Sequence, residues 1–204
     1  KRALADAPAI TMQNLGKTEV VERDIPQSVI VFGAPGIKVS DPEFRAAQVM
    51  NYTLGGGGFA SRMMKEIRAK RGLTYGVSTG FATERLAEYF YGGMATDNKT
   101  AGQAFDLAKA EIQKFRDGGI TDEELADAKA YLTGSFALRF DSNAKISNIL
   151  LSYYLQGFDK DYASKRNAEI EAVTKEQVNA AAKRLLGPAQ LYTVIVGKPE
   201  GVTP

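Results

Sequence analysis

Four consecutive glycines, Gly55 to Gly58, constrain this chain more than any other stretch. Glycine tolerates positive φ and lets one backbone approach another closely, and a run of four reads as neither helix nor strand. The pattern turns helical from Phe59 or Ala60, with Ser61 as N-cap and Met63, Met64 and Ile67 sharing one face. Arg71 and Gly72 supply a basic last turn and a glycine stop. From Tyr75 a period-2 run begins: Tyr75, Val77, Thr79 and Phe81 point one way, Gly76, Ser78, Gly80 and Ala82 the other. This helix-to-strand reversal predicts that Arg68, in the last helical turn, and Tyr75, at the first strand position, project into the same open space. Arginine brings a permanently charged, forked donor and tyrosine a hydroxyl. Two such donors beside a groove lined by Gly55, Gly56, Gly57 and Gly58 suit an acceptor-rich ligand, and a peptide carbonyl is one. By spacing alone Arg62, Lys65, Lys70 and Arg71 compete with Arg68 for that role. Glu66 and Glu84 read as solvent or ion-pair residues.

Two absences narrow the chemistry. The 204 residues include no Cys, so there is no disulfide, thiol nucleophile or thiolate metal site. They include no His either, which removes a His-Glu-x-x-His zinc site, a Ser-His-Asp triad and any imidazole base. This chain alone is not expected to be a zinc hydrolase. A phosphate-binding loop needs Gly-Lys-Ser/Thr where the helix opens, and here Phe59 follows Gly58. The acidic groups Asp122/Glu123/Glu124 and Asp106/Glu111 fall at a helix start and on polar faces, where their roles are structural. A net charge of +2 gives no electrostatic case for nucleic acid or an anionic membrane. No apolar run approaches the ~20 residues of a membrane span. The chain opens Lys1-Arg2-Ala3 without an initiator Met, so a signal peptide or an upstream domain is expected to have been removed. The compartment stays open; freedom from cysteine is compatible with the periplasm, the compartment favoured.

Length and composition fit one substantial domain over residues 15–204, preceded by a linker or lead-in over 1–14. Strands are predicted over Thr18–Asp24 and Gln27–Gly33, the second a buried β-branched run. Ser40-Asp-Pro-Glu43 reads as a capping box opening a helix whose buried stripe is Phe44, Ala47, Met50 and Leu54. A turn at Glu84-Arg85-Leu86 leads into a strand over Glu88–Ala95, whose aromatics Tyr89, Phe90 and Tyr91 fall on both faces and imply cover on both sides of the sheet. A helix from about Lys99 to Asp117 buries Phe105, Ala108, Ile112 and Phe115. Thr121–Glu124 caps a helix reaching about Phe140. After a break at Asp141–Asn143, a helix carries Ile146, Ile149, Leu150, Tyr153 and Tyr154. Helices over about Lys160–Ala172 and from Thr174 to Gly187-Pro188 lead to a last strand, Gln190–Val196. Strands at start, middle and end with two hairpins make an α+β fold, a mixed and largely antiparallel sheet covered by several helices.

The segments Asn51–Gly56, Ser61–Met63 and Ile67–Tyr75 resemble the C-terminal-type domain of the M16 zinc metallopeptidases (pitrilysin/insulinase, mitochondrial-processing-peptidase-like). The resemblance extends over most of the chain, including Ile120–Leu125 and its helix. Members of that type carry an Arg and a Tyr seven positions apart, the spacing of Arg68 and Tyr75. The resemblance implies the same fold class and the absence of any cofactor in this chain. It places zinc, with its His-Glu-x-x-His ligands and general-base Glu, on a partner subunit or an N-terminal domain. It further implies that Arg68 and Tyr75 hold the backbone of a peptide or unfolded-protein substrate while this domain closes the chamber. The competing expectation is a structural or assembly subunit, since some proteins of this kind have lost proteolysis.

Overall fold

A computed structural model describes residues 10–84 and 86–202. Residues 1–9 of the expected lead-in, and Arg85 of the expected turn, lie outside the described residues. Five strands, β1 (Thr18–Glu22), β2 (Gln27–Pro35), β3 (Thr74–Glu84), β4 (Ala87–Asp97) and β5 (Tyr192–Gly197), form one sheet in the order β1-β5-β2-β4-β3. Only the β1–β5 pair is parallel. The helices are α1 (Phe44–Asn51), α2 (Ala101–Gly118), α3 (Asp122–Gly134), α4 (Asn143–Leu155), α5 (Tyr162–Glu171) and α6 (Lys175–Leu185). The predicted α+β class, a mixed sheet with several helices, is the one observed.

One predicted hairpin is absent. β1 and β2 do not pair, because β5 lies between them and bonds to both. Two strand spacings make roughly 10 Å, which the four residues from Arg23 to Pro26 can span. The contact-making strand is the last in sequence, out of sight of any local pattern. The β3–β4 hairpin forms as expected.

Helices cover one face of the sheet. Ile30, Phe32, Phe90, Met94 and Ile195 are buried there against the stripes of α1 (Phe44, Ala47, Met50) and α2 (Phe105, Ala108, Ile112, Phe115). The expectation of cover on both faces is corrected to this extent: among the described residues no helix covers the outer face, where the Met12 side chain lies near Gly33. Phe90 points inward, but Tyr91 is 44% exposed, beside Val29 at 43% and Val31 at 52% on the same outer face. Adjacent strand residues alternate faces, so three consecutive aromatics reveal nothing about which faces are covered.

Of the helix starts expected at Ser40, Thr121 and Thr174, the last two are capped as the sequence predicts. Thr121 with Glu124 and Thr174 with Gln177 form reciprocal capping boxes. At α1 the helix starts at Phe44 with no side-chain cap from Glu43. Asp41 instead accepts from the Glu43 N–H at 2.9 Å, and both carboxylates engage Arg184, at 3.0 and 2.7 Å. The Arg184 hydrogen bond holds the Asp41 carboxyl below its ordinary pKa against a smaller burial effect. The predicted helix to Phe140 ends at Gly134, and a 3-10 turn over Ala137–Phe140 buries Phe136 instead.

Candidate functional site

The glycine run is helical over half its length. A π turn over Tyr52–Gly56 extends α1, and only Gly58 has positive φ, at 55°. A sequence rule against glycine in helices is a statement about average cost, roughly 1 kcal/mol per residue. Packing overrides it here. A Cβ on Gly55 would lie 2.5 Å from Thr79 Oγ1 and 2.9 Å from the Thr79 backbone nitrogen. On Gly57 it would lie 2.6 Å from Tyr52 O. The close approach that glycine permits is therefore made to this chain's own β3 and α1. The chain then reverses through a 3-10 turn over Gly58–Ala60, leaving Phe59 74% exposed.

Ser61 caps the next helical stretch, its Oγ accepting from Met64 N at 3.4 Å. Met63, Met64 and Ile67 are buried together as the spacing predicts. A π turn spans Met64–Ala69, and Gly72 (φ 65°) ends the segment, with Gly72 N bonded to Arg68 O at 2.8 Å and Leu73 N to Ile67 O at 3.1 Å. This left-handed exit throws the chain straight into β3.

Alternation from Tyr75 would have put that ring on the buried face with Val77 and Thr79. It does not. The β3–β4 register slips between Thr74 and Val77, and this bulge turns Tyr75 outward to 87% exposure while Val77 and Thr79 stay buried. Bulges of this kind re-aim a side chain beside a site. Thr74 pins it: its Oγ1 lies 2.7 Å from Ala95 O and 2.8 Å from Gly76 O, and accepts from Gly76 N at 3.1 Å. Thr96 Oγ1 donates to Leu73 O at 2.6 Å from the next strand.

Arg68 and Tyr75 line the same open groove of about 600 Å³, together with Gln27, Thr74, Asp97 and Lys99. The other arginines of the segment are engaged elsewhere. Arg62 forks onto Glu124 at 2.7 and 2.6 Å, reaches Gly119 O at 2.8 Å and sits 4.4 Å over the Phe115 ring. Burial pushes the Glu124 pKa up, but the Arg62 and Thr121 hydrogen bonds outweigh it and the net shift is down. Arg71 and Lys70 both clasp Glu66, and their hydrogen bonds draw its pKa down to about 2. Among the described residues Arg68 has no carboxylate partner; its guanidinium lies 4.4 Å over the Phe59 ring. That stacking orients the fork and contributes on the order of 0.5–1 kcal/mol at an exposed site.

The structure thus brings Arg68 and Tyr75 together and does not bring Gly55, Gly56, Gly57 or Gly58 into their groove. Gly55 is buried, and Gly56 lines a different cavity. Sequence reasoning passed over Phe59 and Thr74. An exposed aromatic directly after a glycine run was the available signal for the first; nothing local announces the second. As to metals, the sequence has neither His nor Cys, and among the described residues no group of three or more carboxylates converges. These residues do not fit a catalytic zinc.

The sequence profile of the Peptidase M16 inactive domain matches residues 4–132. This chain belongs to the M16 peptidase inactive-domain family. It is 30% identical over 163 residues to the non-peptidase homolog YmxG of Helicobacter pylori, covering 79% of this chain and 37% of that protein. It is 29% identical over 188 residues to an uncharacterized zinc protease of Streptomyces coelicolor, covering 91% and 40%. The crystal structure of a peptidase M16 inactive domain from Pseudomonas fluorescens superposes with a TM-score of 0.86 at 30% identity, over 99% of this chain and 48% of that one. The chain thus spans less than half the length of each of these three proteins, and among its described residues no helix is long and apolar enough to cross a membrane.

Proposed function

We propose that this domain is the non-zinc half of an M16-type zinc metallopeptidase and binds the substrate backbone through Arg68 and Tyr75. The partner half, whether a separate subunit or an N-terminal domain, carries the zinc and the chemistry that depends on it. The observation that supports this reading is the groove. The bulge exposes Tyr75 next to the one arginine of the segment that lacks an acidic partner among the described residues.

A guanidinium can only donate hydrogen bonds and a phenol beside it can donate one more, so the pair favours carbonyl oxygens over amide N–H groups. They hold a substrate carbonyl, and any negative charge that grows on it, without reading side chains. Weak sequence preference and peptides or unfolded segments as substrate follow. The glycines act one step back: the Gly58 reversal places Phe59 beneath Arg68. The open sheet face with Val29, Val31 and Tyr91 would form part of the wall that closes the chamber.

The test combines this domain with its zinc-bearing half and follows cleavage of an internally quenched peptide. Arg68→Ala and Tyr75→Phe should each lower kcat/KM by about 10²–10³, with thermal melting and association unchanged. The name of one relative, a non-peptidase homolog, supports the second reading, a scaffold or assembly subunit. Turnover unaltered by both substitutions would favour it.

A further inference from the structure

A second cavity, of about 420 Å³, lies between the far part of β3 and helices α4 and α5. Along β3 it is roughly 20 Å from Tyr75, counting six residues to Phe81. Among the described residues its wall carries two guanidiniums, Arg139 and Arg166, and no Asp or Glu. Arg166 is only 5% exposed. Its partners are neutral: Nη1 donates to Leu132 O at 2.9 Å and to Asn167 Oδ1 at 3.0 Å, and the guanidinium lies 4.4 Å over the Phe136 ring. Burial lowers its pKa, with Tyr162 opposing. On the same wall the Tyr153 hydroxyl is buried without a hydrogen-bond partner among the described residues. A buried cation without a counter-charge and a buried hydroxyl without a bond are both costly. Their shared cavity is matched by one kind of molecule, an anion with strong acceptor oxygens.

The remaining walls indicate which anion. Phe44, Phe81 and Phe158 offer apolar surface, and Asn51, whose Oδ1 accepts from Thr79 Oγ1, also lines the cavity. The volume falls within the roughly 300–1,000 Å³ of small-ligand pockets. We propose that this cavity binds a carboxylate borne on an apolar body, with the C-terminal residue of a peptide as its natural form. Arg139 and Arg166 take the carboxylate oxygens through forked hydrogen bonds, the Tyr153 hydroxyl donates a further bond, and the phenylalanines enclose the side chain. The site shares no residue with the Arg68–Tyr75 groove, so either proposal stands or falls alone.

The probe is N-acetylphenylalanine, titrated into this chain by NMR or calorimetry beside its C-terminal amide and inorganic phosphate. The acid should bind at least about 10-fold more tightly than the amide, and more tightly than phosphate. Arg139→Gln, at an exposed position outside the core, should weaken the acid about 10-fold and leave the amide unchanged. Tyr153→Phe should weaken the acid with the melting temperature preserved. Equal binding of acid and amide, tighter binding of phosphate, no binding of the acid at millimolar concentration, or indifference to Arg139→Gln each overturns the proposal.

Discussion

Gly55→Ala isolates the argument that the glycine run is packed rather than open. The new methyl would meet Thr79 at Oγ1 (2.5 Å), Cγ2 (2.8 Å) and the backbone nitrogen (2.9 Å). The hydroxyl could rotate, but that would break its 2.8 Å bond to Asn51 Oδ1. The backbone nitrogen belongs to a strand bonded to β4 and cannot yield cheaply. Overpacking a well-filled site costs about 1–3 kcal/mol, and alanine returns roughly 0.5–1 kcal/mol through its better helical conformational entropy. The net loss is up to about 2.5 kcal/mol, or up to roughly 10 °C in Tm for a domain of this size. Two controls bracket it in the same thermal melt followed by circular dichroism. At Gly118, in α2 with open space around it, alanine should raise Tm by a degree or more, on the order of the helix-propensity gain. At Gly58, also open but at φ 55°, alanine should lower Tm through backbone strain of about 1 kcal/mol. A Gly55→Ala protein melting at or above the parent would refute the packing account. It would return Gly55 to the list of residues free to face a ligand.

Thr74→Val removes the hydroxyl that holds the bulge, leaving Gly76 N without its side-chain acceptor. It should cost about 1–3 kcal/mol by denaturant titration and reduce peptide turnover with the partner half, because Tyr75 loses its outward orientation. Arg62→Ala breaks the fork onto Glu124 and the contact with Phe115. About 2–3 kcal/mol of stability should go, and Glu124→Gln in the same background should recover part of it. Glu66, held at about pKa 2 by Lys70 and Arg71, has a folded value below its ordinary 4.5. Its contribution is therefore complete above about pH 4.5 and disappears as pH falls toward 2. Glu66→Gln should lower stability at pH 7, converge with the parent as pH falls toward 2, and so flatten that part of the acid-unfolding profile; an unchanged acid limb would contradict the ion-pair geometry.

Much of this domain was legible in order along the chain. The stripes of α1 and α2, the capping boxes at Thr121 and Thr174, and the Met63–Met64–Ile67 face depend on neighbours within a turn or two, and spacing encodes those directly. The Arg68–Tyr75 interval also survives folding, since a short helix, one glycine stop and a strand start leave few ways to arrange seven residues. Sequence could not rank Arg68 above Arg62 or Arg71. That ranking depends on where Glu124 and Glu66 end up, and Glu124 reaches Arg62 across 62 positions.

The chain's own residues decided that no imidazole or thiolate chemistry is available, that the elements are those of an α+β fold, and that a cation and a phenol stand seven positions apart. Tertiary structure decided everything that needs a distant partner: β5 inserting between β1 and β2, the outer face of the sheet left without a helix among the described residues, and Gly55 pressed onto Thr79. Most of all it decided the bulge. A one-residue slip against β4, fixed by Thr74 reaching Ala95 O, reverses the face on which Tyr75 stands, and no periodicity within β3 can report a register set by another strand.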